Sequence, residues 1–342
     1  MVCSYNSNFG NIDLSEEYMK LRNLVIWVIA GFLMSIGMSY GGMAHVSSLD
    51  FFDPFRTGEN QLFDFSMLIL FCAALIPTFL YWQLYGKRST PWFESGWKLP
   101  TNEAVDRKLV LGSVIFGAGW ALGGFCPGPS IAGLITGHPN FVAFSYGMYT
   151  YFMIGHIWKA RKSEGDSHWM LTLALGAVPA AFYFVGPMIF PSEGVISPNS
   201  WPVSASLLGG FGIALAMIIS YQFNGRVLGL CGLWRDILDV KVSANSRLPL
   251  LLFFVAFMAG GIVTQFVAPE SFSFPPYQGR NLIWIFVGGF LVALGTTWAN
   301  GCTSGHGIAG MSRLSIRSLI AVPAFMGGVF VFLPIFNILL NG

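Results

Sequence analysis

The stretch from Leu109 to Leu134, LVLGSVIFGAGWALGGFCPGPSIAGL, contains no charged residue and is interrupted by Cys126-Pro127-Gly128-Pro129. A helix cannot run through this point, because proline removes a backbone hydrogen bond and clashes with the preceding turn. A second stretch, VALGTTWANGCTSGHGIAGM from Val292 to Met311, repeats the plan: in both, a Gly precedes the Cys by seven residues and Ile-Ala-Gly follows it. Two broken apolar segments in corresponding positions of two halves indicate a transport site near the middle of a membrane.

The composition places most of the chain in lipid. Of its 342 residues 54% are hydrophobic and 10% are charged, whereas a soluble domain carries about 25% charged residues. The net charge of +2 is small and the basic residues lie in short connecting loops, so no nucleic-acid partner is predicted. The five cysteines are scattered, and the chain contains no HExxH, CxxC or Cys-His zinc pattern. We therefore predict no disulfide framework, no metal site and no cofactor.

Nine apolar segments are candidates for crossing the bilayer, although several are near or below the roughly 20 residues that a spanning helix needs. With the N-terminus inside, 16 of the 18 lysines and arginines fall in inner loops, and only Arg56 and Arg280 fall outside. This asymmetry predicts a multi-pass membrane protein with a cytoplasmic N-terminus and an outer C-terminus. The segments are Leu24–Tyr40, Phe63–Trp82, Leu109–Phe125, Phe141–Trp158, Trp169–Phe190, Ser204–Tyr221, Pro249–Val267, Leu282–Ala299 and Ser318–Leu339.

The count of crossings predicts an inverted repeat. Taken together, the first four segments begin and end on the inner side. The fifth crosses once to the outer side, so the last four run with the opposite topology. The predicted fold is an all-α integral membrane protein with about nine transmembrane helices in a 4+1+4 inverted repeat, whose two Cys-centred reentrant breaks lie at the bilayer centre. Its parts are a cytoplasmic extension (1–23), a first repeat (24–168), a linking helix with an outer loop (169–203) and a second, inverted repeat (204–342).

Cys126 is the first candidate for chemistry. A free cysteine is usually a small buried hydrophobe, but here Pro127 and Pro129 end one helix, and a half helix is expected from near Ser130. The backbone N–H groups at its start, around Gly128, would face the break and favour an anion. The same field would make the thiol more reactive.

Cys302 stands in a run of polar and glycine residues inside an otherwise apolar region, which includes Thr303, Ser304, Gly305 and His306. Polar clusters within membranes are usually functional. The alternative is a polar loop exposed at the inner surface. His306 fits two roles equally well: donating hydrogen bonds to an anion or moving a proton, and capping or packing a helix.

Two further cysteines lie in or near apolar segments. Cys231 comes just after the sixth segment and is interpreted as an intermediate binding position near the cytoplasmic exit. Cys72 lies within an unbroken apolar run and is interpreted as a packing residue.

The sequences GAGWALGGFCPGPSIAGL and NGCTSGHGIAGMSRLSIRSL resemble the hallmarks of the YeeE/YedE family of sulfur-compound transporters. The chain is similar to a fused pair of PmpA/PmpB-like membrane proteins, over nearly all residues after 24. The resemblance implies an inner-membrane permease for thiosulfate or a related small sulfur-containing anion. It also implies a cysteine relay with Cys126 and Cys302 at its centre. The family's third cysteine, at the start of the first repeat, is absent from residues 41–47, and Cys231 occupies the comparable place in the second repeat.

The alternative function is a membrane thiol-redox or persulfide-handling enzyme, in which Cys126 and Cys302 would cycle through a persulfide or a disulfide. The chain contains no GxxxxGK[ST] loop, so ATP hydrolysis is not expected. The sequence leaves open the choice among thiosulfate, sulfite, sulfide, polysulfide and a selenium analogue. It also leaves open a cytoplasmic sulfurtransferase-type partner.

Overall fold

A computed structural model describes residues 14–45, 64–87, 89–94, 96–100, 103–162, 169–190, 201–238, 244–272 and 281–341. These residues are predominantly helical, and their only extended pairing is an isolated bridge between Lys98 and Arg226. The all-α prediction is therefore confirmed. The helices are Leu14–Tyr40 (α1), Ser66–Tyr81 (α2), Arg107–Gly123 (α3), Pro127–Gly133 (α4), Pro139–Lys162 (α5), Trp169–Ile189 (α6), Val203–Ile219 (α7), Leu230–Leu238 (α8), Ala244–Val267 (α9), Leu282–Ala299 (α10) and Ile316–Asn341 (α11).

Short segments of other helix types adjoin several of these helices. Tight 3₁₀ turns follow α4 and α9, at Leu134–Thr136 and Pro269–Phe272. The wider π-helix extends α2 over Trp82–Gly86 and α7 over Ser220–Asn224. It also forms the eight residues Thr303–Gly310 immediately after Cys302. Because π-helical turns are rare and often mark functional sites, this last segment is of particular interest.

Seven stretches of the described residues are long and apolar enough to cross a membrane: Leu21–Tyr40, Ser66–Gly86, Arg107–Thr136, Val203–Asn224, Arg247–Val267, Leu282–Ala299 and Ile316–Leu340. They coincide with seven of the nine predicted segments. The other two predicted segments form α5 and α6, which lie outside this set; α6 contributes only the shorter apolar stretch Leu173–Ile189. A multi-pass membrane protein follows, while the count of nine crossings stays a prediction.

One predicted boundary is wrong, and one stays a prediction. The first helix begins at Leu14, inside the predicted N-terminal extension 1–23, of which residues 1–13 lie outside the described part; the extension itself stays a prediction. The half helix after Cys126 begins at Pro127, not near Ser130. Proline suits the first position of a helix because it has no N–H to leave unpaired and its φ is already helical. The prediction treated Pro127 as a helix breaker when it is a helix starter.

The two halves of the chain are interleaved. The most extensive contacts pair α3 with α10 and α11, α1 with α9 and α7, α10 with α5, and α2 with α7. Each of these pairs joins a helix before residue 163 to a helix after residue 202. The core is therefore built between the halves and not within either one.

Glycines allow α3 and α10 to cross closely. A Cβ at Gly295 would lie 2.4 Å from the backbone nitrogen of Phe116 and 2.6 Å from the carbonyl oxygen of Gly112, and a Cβ at Gly112 would lie 2.5 Å from the nitrogen of Ala299. Small residues at such spacing are the usual way in which membrane helices approach closely, since lipid provides no hydrophobic drive for association.

The outer face of the bundle is apolar. Large side chains such as Phe184, Phe266 and Ile338 are about 70% exposed, which suits contact with lipid and not with water. Cys72 on α2 is also exposed. Its interpretation as a packing residue is therefore wrong: Cys72 lies on the exposed face of α2, while its neighbours Ala73 and Ala74 are buried.

Asp64 and Trp201 together join three helices at the predicted outer end of the bundle. Its carboxylate accepts hydrogen bonds from the backbone nitrogens of Ser66 (2.8 Å) and Trp201 (3.2 Å), which precede or begin α2 and α7. The indole of Trp201 donates to the carbonyl of Tyr40 at the end of α1 (3.1 Å). The imidazole of His45, itself 1% exposed, lies with its ring centre 4.9 Å from the Trp201 ring.

Candidate functional site

Three cysteines meet in the interior, each at the start of a helix. Cys126 is the N-cap of α4, Cys302 is the N-cap of the π-helical segment Thr303–Gly310, and Cys231 is the second residue of α8. All three are buried and reduced. The Cys231 thiol lies beside that of Cys302, and Cys126 is close enough to both for electrostatic interaction. We call this group the thiol cluster.

The chain leaves its helical path before both central cysteines in the same way. Helix α3 ends in Gly124, which has a left-handed φ of 83° and donates its N–H to the Trp120 carbonyl (2.8 Å). Helix α10 ends in Asn300, which has a left-handed φ of 58°. Glycine and asparagine are the residues that adopt this conformation at helix ends most readily. The two breaks therefore share one geometry, although only the first contains proline.

Hydroxyl groups contact two of the thiols, and one of these contacts joins the two halves. The sulfur of Cys126 lies 2.7 Å from the hydroxyl of Thr303, and the sulfur of Cys302 lies 3.3 Å from that of Ser304. Ser304 also accepts a hydrogen bond from the backbone nitrogen of Leu230 at the start of α8 (3.3 Å). The predicted residues Cys126, Cys302, Thr303 and Ser304 are therefore brought together in one buried place.

Backbone N–H groups add positive potential to the cluster. Those of Gly128 and Thr303 lie within electrostatic reach of the Cys126 sulfur, and those of Gly305 and Cys231 lie within reach of the Cys302 sulfur. The first N–H groups of a helix have no partner within the helix and favour a negative group. Weak S–H and O–H donors combined with such N–H groups can hold a small anion without a fixed positive charge.

Two further predicted residues of the first break, Ser130 and Gly128, contribute to the shape of the site. Ser130 is fully buried and donates its hydroxyl to the Pro127 carbonyl in its own helix (2.9 Å). A Cβ at Gly128 would lie 2.5 Å from the Met38 sulfur and 2.6 Å from a methyl carbon of Leu230. Only glycine therefore fits between these two side chains as they stand.

His306 binds protein groups through both ring nitrogens. Its Nε2 lies 3.1 Å from the carbonyl oxygen of Ala299, and its Nδ1 lies 2.9 Å from the hydroxyl of Ser318. A carbonyl only accepts, so Nε2 carries the proton and Nδ1 accepts from Ser318 in the neutral ring. The imidazole thus ties the end of α10 to the start of α11 and packs over Gly301. This geometry favours the packing role over a role in proton transfer.

The structure places Cys231 beside Cys302, and its predicted position near a cytoplasmic exit stays a prediction. Sequence reasoning did not predict α8, a helix of nine residues that is too short to register as a membrane segment. Because α8 starts against Ser304, its second residue enters the thiol cluster. A void of about 10 Å³, near the size of one water molecule, adjoins Cys231 and is lined also by Arg235, Thr296 and Asn300.

A larger cavity of about 730 Å³ opens next to the cluster, and sequence reasoning did not predict it. Gly229, Gly232, Gly301 and Gly305, neighbours of the two cysteines of the second half, form the part of its wall nearest the thiols. We call it the basic cavity after its five cationic lining residues, Lys98, Arg226, Arg235, Arg313 and Arg317. All five belong to loops that the charge asymmetry assigned to the inner side.

Family comparisons match both halves of the chain. Residues 188–331 match the family described as "Sulphur transport", and residues 22–164 match a family of unknown function, DUF6691. A "Probable transporter" of Xylella fastidiosa (strain Temecula1) is 33% identical over 132 residues, which cover 86% of that protein and 38% of this chain. This chain belongs to the YeeE/YedE family of sulfur-compound transporters.

Other relatives agree with this assignment of a membrane transporter. A second "Probable transporter", from Xylella fastidiosa (strain 9a5c), is 34% identical over 122 residues, or 84% of that protein and 35% of this chain. The "Thiosulfate transporter TsuA" of Spirochaeta thermophila is 25% identical over 345 aligned positions, which cover 89% of this chain and 97% of the relative. The family and its relatives are named as transporters and not as enzymes, so the sequence-based alternative of a thiol enzyme is not supported.

Proposed function

We propose that this protein carries thiosulfate, or a related small sulfur-containing anion, across the inner membrane through the thiol cluster. The observation behind this proposal is the meeting of Cys126, Cys231 and Cys302 with the starts of three helices in one buried place. The substrate named for the Spirochaeta relative, which aligns with nearly the whole chain, supports thiosulfate.

The chemistry of the cluster suits conduction of an anion. A binding site on a transport path must be favourable enough to admit the ion and weak enough to release it. Thiols and hydroxyls are weak donors, and the backbone N–H groups of Gly128 and Gly305 supply only partial charges. In the proposed path the anion passes from the Cys126 thiol, beside Thr303, to Cys302 and Cys231, beside Ser304, exchanging S–H hydrogen bonds at each step.

We propose that Cys231 supplies the third thiol that the first repeat lacks. The segment 41–47 has no cysteine, whereas Cys231 lies beside Cys302. The relay would then draw two of its three thiols from the second half. His306 would act by holding the Cys302 loop in place, through Ala299 and Ser318.

The proposed membrane arrangement is the 4+1+4 inverted repeat of residues 24–168, 169–203 and 204–342, with both breaks near the bilayer centre. The pattern of helix contacts supports it. Exchanging α1 with α7, α2 with α9, α3 with α10 and α5 with α11 maps this set of contacts onto itself. The α3–α11 contact exchanges with α5–α10 and the α1–α9 contact with α2–α7, while α3–α10 and α1–α7 map onto themselves. The gathering of predicted inner cations around one cavity supports a cytoplasmic N-terminus.

The test is uptake of labelled thiosulfate into proteoliposomes that contain the purified protein. We expect uptake by the wild type, a loss of at least tenfold in the Cys126→Ala/Cys302→Ala variant, and unchanged uptake in Cys72→Ala, which alters a cysteine on the exposed face of α2. Uptake that survives in the double variant would refute a path through the thiols. If the folded wild-type protein shows no uptake, thiosulfate is excluded as the substrate, and sulfite and persulfides are the next substrates to test. A sulfurtransferase-type partner stays a prediction.

A further inference from the structure

We propose that the basic cavity is a second anion site, which receives a small divalent oxyanion after it passes the thiols and which does not discriminate by sulfur chemistry. This inference rests on the proposed function, because it assumes that an anion leaves the thiol cluster on this side. It goes further in assigning a separate site with its own residues and its own selectivity.

The first argument is the balance of charge. Five cations line the cavity, against the two carboxylates of Glu103 and Asp236. Asp236 lies 3.8 Å from Arg235, and Lys98 is paired at 2.7 Å with Glu94, which is not part of the lining. The surplus is positive, and a concave site with one sign of charge concentrates the opposite ion.

The second argument is how two of these arginines are held. Arg313 donates its Nε to the carbonyl of Ala309 (3.0 Å), and Arg317, which is 5% exposed, donates to the carbonyls of Ala104 and Ala299. Carbonyl oxygens orient a guanidinium but do not neutralise it. Each guanidinium has five N–H donors, so these arginines retain donors and a full positive charge for an anion.

The third argument is the connection to the thiols. Arg235 stands four residues after Cys231 on α8, so the two side chains share one face of the helix. Its NH1 donates to the side-chain oxygen of Asn300 (2.9 Å), two residues before Cys302. Arg235 also lines both the basic cavity and the water-sized void beside Cys231. An anion that leaves the Cys231–Cys302 pair would therefore meet Arg235 as its first positive charge.

The size of the cavity indicates what it binds. About 730 Å³ lies in the range of small-molecule sites, roughly 300–1,000 Å³, and exceeds the volume of a bare tetrahedral oxyanion. The anion would keep much of its water and be held by charge and guanidinium hydrogen bonds. Thiosulfate and sulfate share the charge and the oxygen atoms that arginine recognises. We therefore expect the cavity to bind both.

The experiment measures anion binding by calorimetry to the whole protein in neutral detergent, which keeps lipid phosphates out of the cavity. Sulfate and thiosulfate are titrated at constant ionic strength, with chloride as the balancing salt. The Cys126→Ala/Cys302→Ala variant lacks the proposed thiol site, so both anions should still bind it at the basic cavity, and sulfate should bind it as it binds the wild type. The Arg235→Gln/Arg313→Gln variant should bind sulfate at least tenfold more weakly, a change of at least about 1.4 kcal/mol.

The matched control is Arg107→Gln/Lys108→Gln. It removes the same charge from exposed residues at the start of α3 that do not line the cavity, and binding should change less than twofold. Three outcomes would overturn the inference: no saturable sulfate binding by the wild type, loss of sulfate binding in the cysteine variant, or equal loss of sulfate binding in the control and in the cavity variant. Uptake of thiosulfate by the wild type in proteoliposomes is read separately, so the transport proposal can stand when this one fails.

Discussion

Replacing Thr303 by valine tests the contact that joins the two halves at the thiol cluster. The Thr303 hydroxyl lies 2.7 Å from the Cys126 sulfur, and both residues are buried. Valine has nearly the same shape but lacks the hydroxyl, so the substitution removes the hydrogen bond and leaves the packing. Serine keeps the hydroxyl and loses only a methyl group, and is the matched control.

The size of the effect follows from the membrane setting. Hydrogen bonds between membrane helices contribute about 0.6 kcal/mol on average and about 1.7 kcal/mol at most. Since about 1.4 kcal/mol is a factor of ten, initial uptake of labelled thiosulfate by Thr303→Val should fall by about threefold to twentyfold. Thr303→Ser should stay within about twofold of the wild type.

A double-mutant cycle measures the contact without relying on transport. Unfolding in mixed detergent is compared for wild type, Thr303→Val, Cys126→Ala and the double variant. We expect a coupling energy of about 0.6–1.7 kcal/mol. The reasoning would be refuted if the two single effects added to within about 0.3 kcal/mol, or if Thr303→Ser lost as much uptake as Thr303→Val.

Three further predictions concern packing, redox state and pH. Gly295→Ala should destabilise the protein by about 1–3 kcal/mol, because its Cβ would collide with the backbone of α3. Gly327→Ala should be neutral, because a Cβ there would have no atom within 4 Å. Thermal unfolding in detergent compares the two variants. Oxidation by copper phenanthroline should block uptake by forming a disulfide between Cys231 and Cys302, and dithiothreitol should restore uptake. The Cys231→Ser variant should resist this inhibition. Equal inhibition of that variant would contradict the contact between Cys231 and Cys302. Burial keeps the pKa of His45 well below its ordinary value, so on acidification the unfolded chain binds a proton before the folded protein does. The free energy of unfolding should therefore be highest above about pH 6.5 and decline as the pH falls below it. The His45→Gln variant should show a flatter dependence of stability on pH.

The positions of the two breaks could be predicted from the sequence because their causes are local. Pro127 and Pro129 act on their own backbone, and the glycine-rich run around Cys302 identifies the second break by its repeat of the first. The starting residue of the half helix was missed for an equally local reason, since the same proline that ends one helix can begin the next.

The contacts inside the site could not be predicted, because they depend on the packing of distant segments. Cys126 and Thr303 are 177 residues apart, and Arg235 reaches Asn300 over 65 residues. The cations of the basic cavity appeared in the sequence only as a statistical excess on one side of the membrane. Their gathering around one cavity depends on α8, a helix too short to be recognised from its apolar residues.

The interleaving of α1, α2, α3 and α5 with α7, α9, α10 and α11 has a consequence for biosynthesis. When the ribosome has completed the first half, the main packing partners of those helices do not yet exist. The glycine faces of the early helices stay uncovered in the membrane until the second half is inserted. The main tertiary contacts therefore form late in synthesis. When the two halves are expressed as separate chains, each should be degraded alone, and both should accumulate only when they are made together.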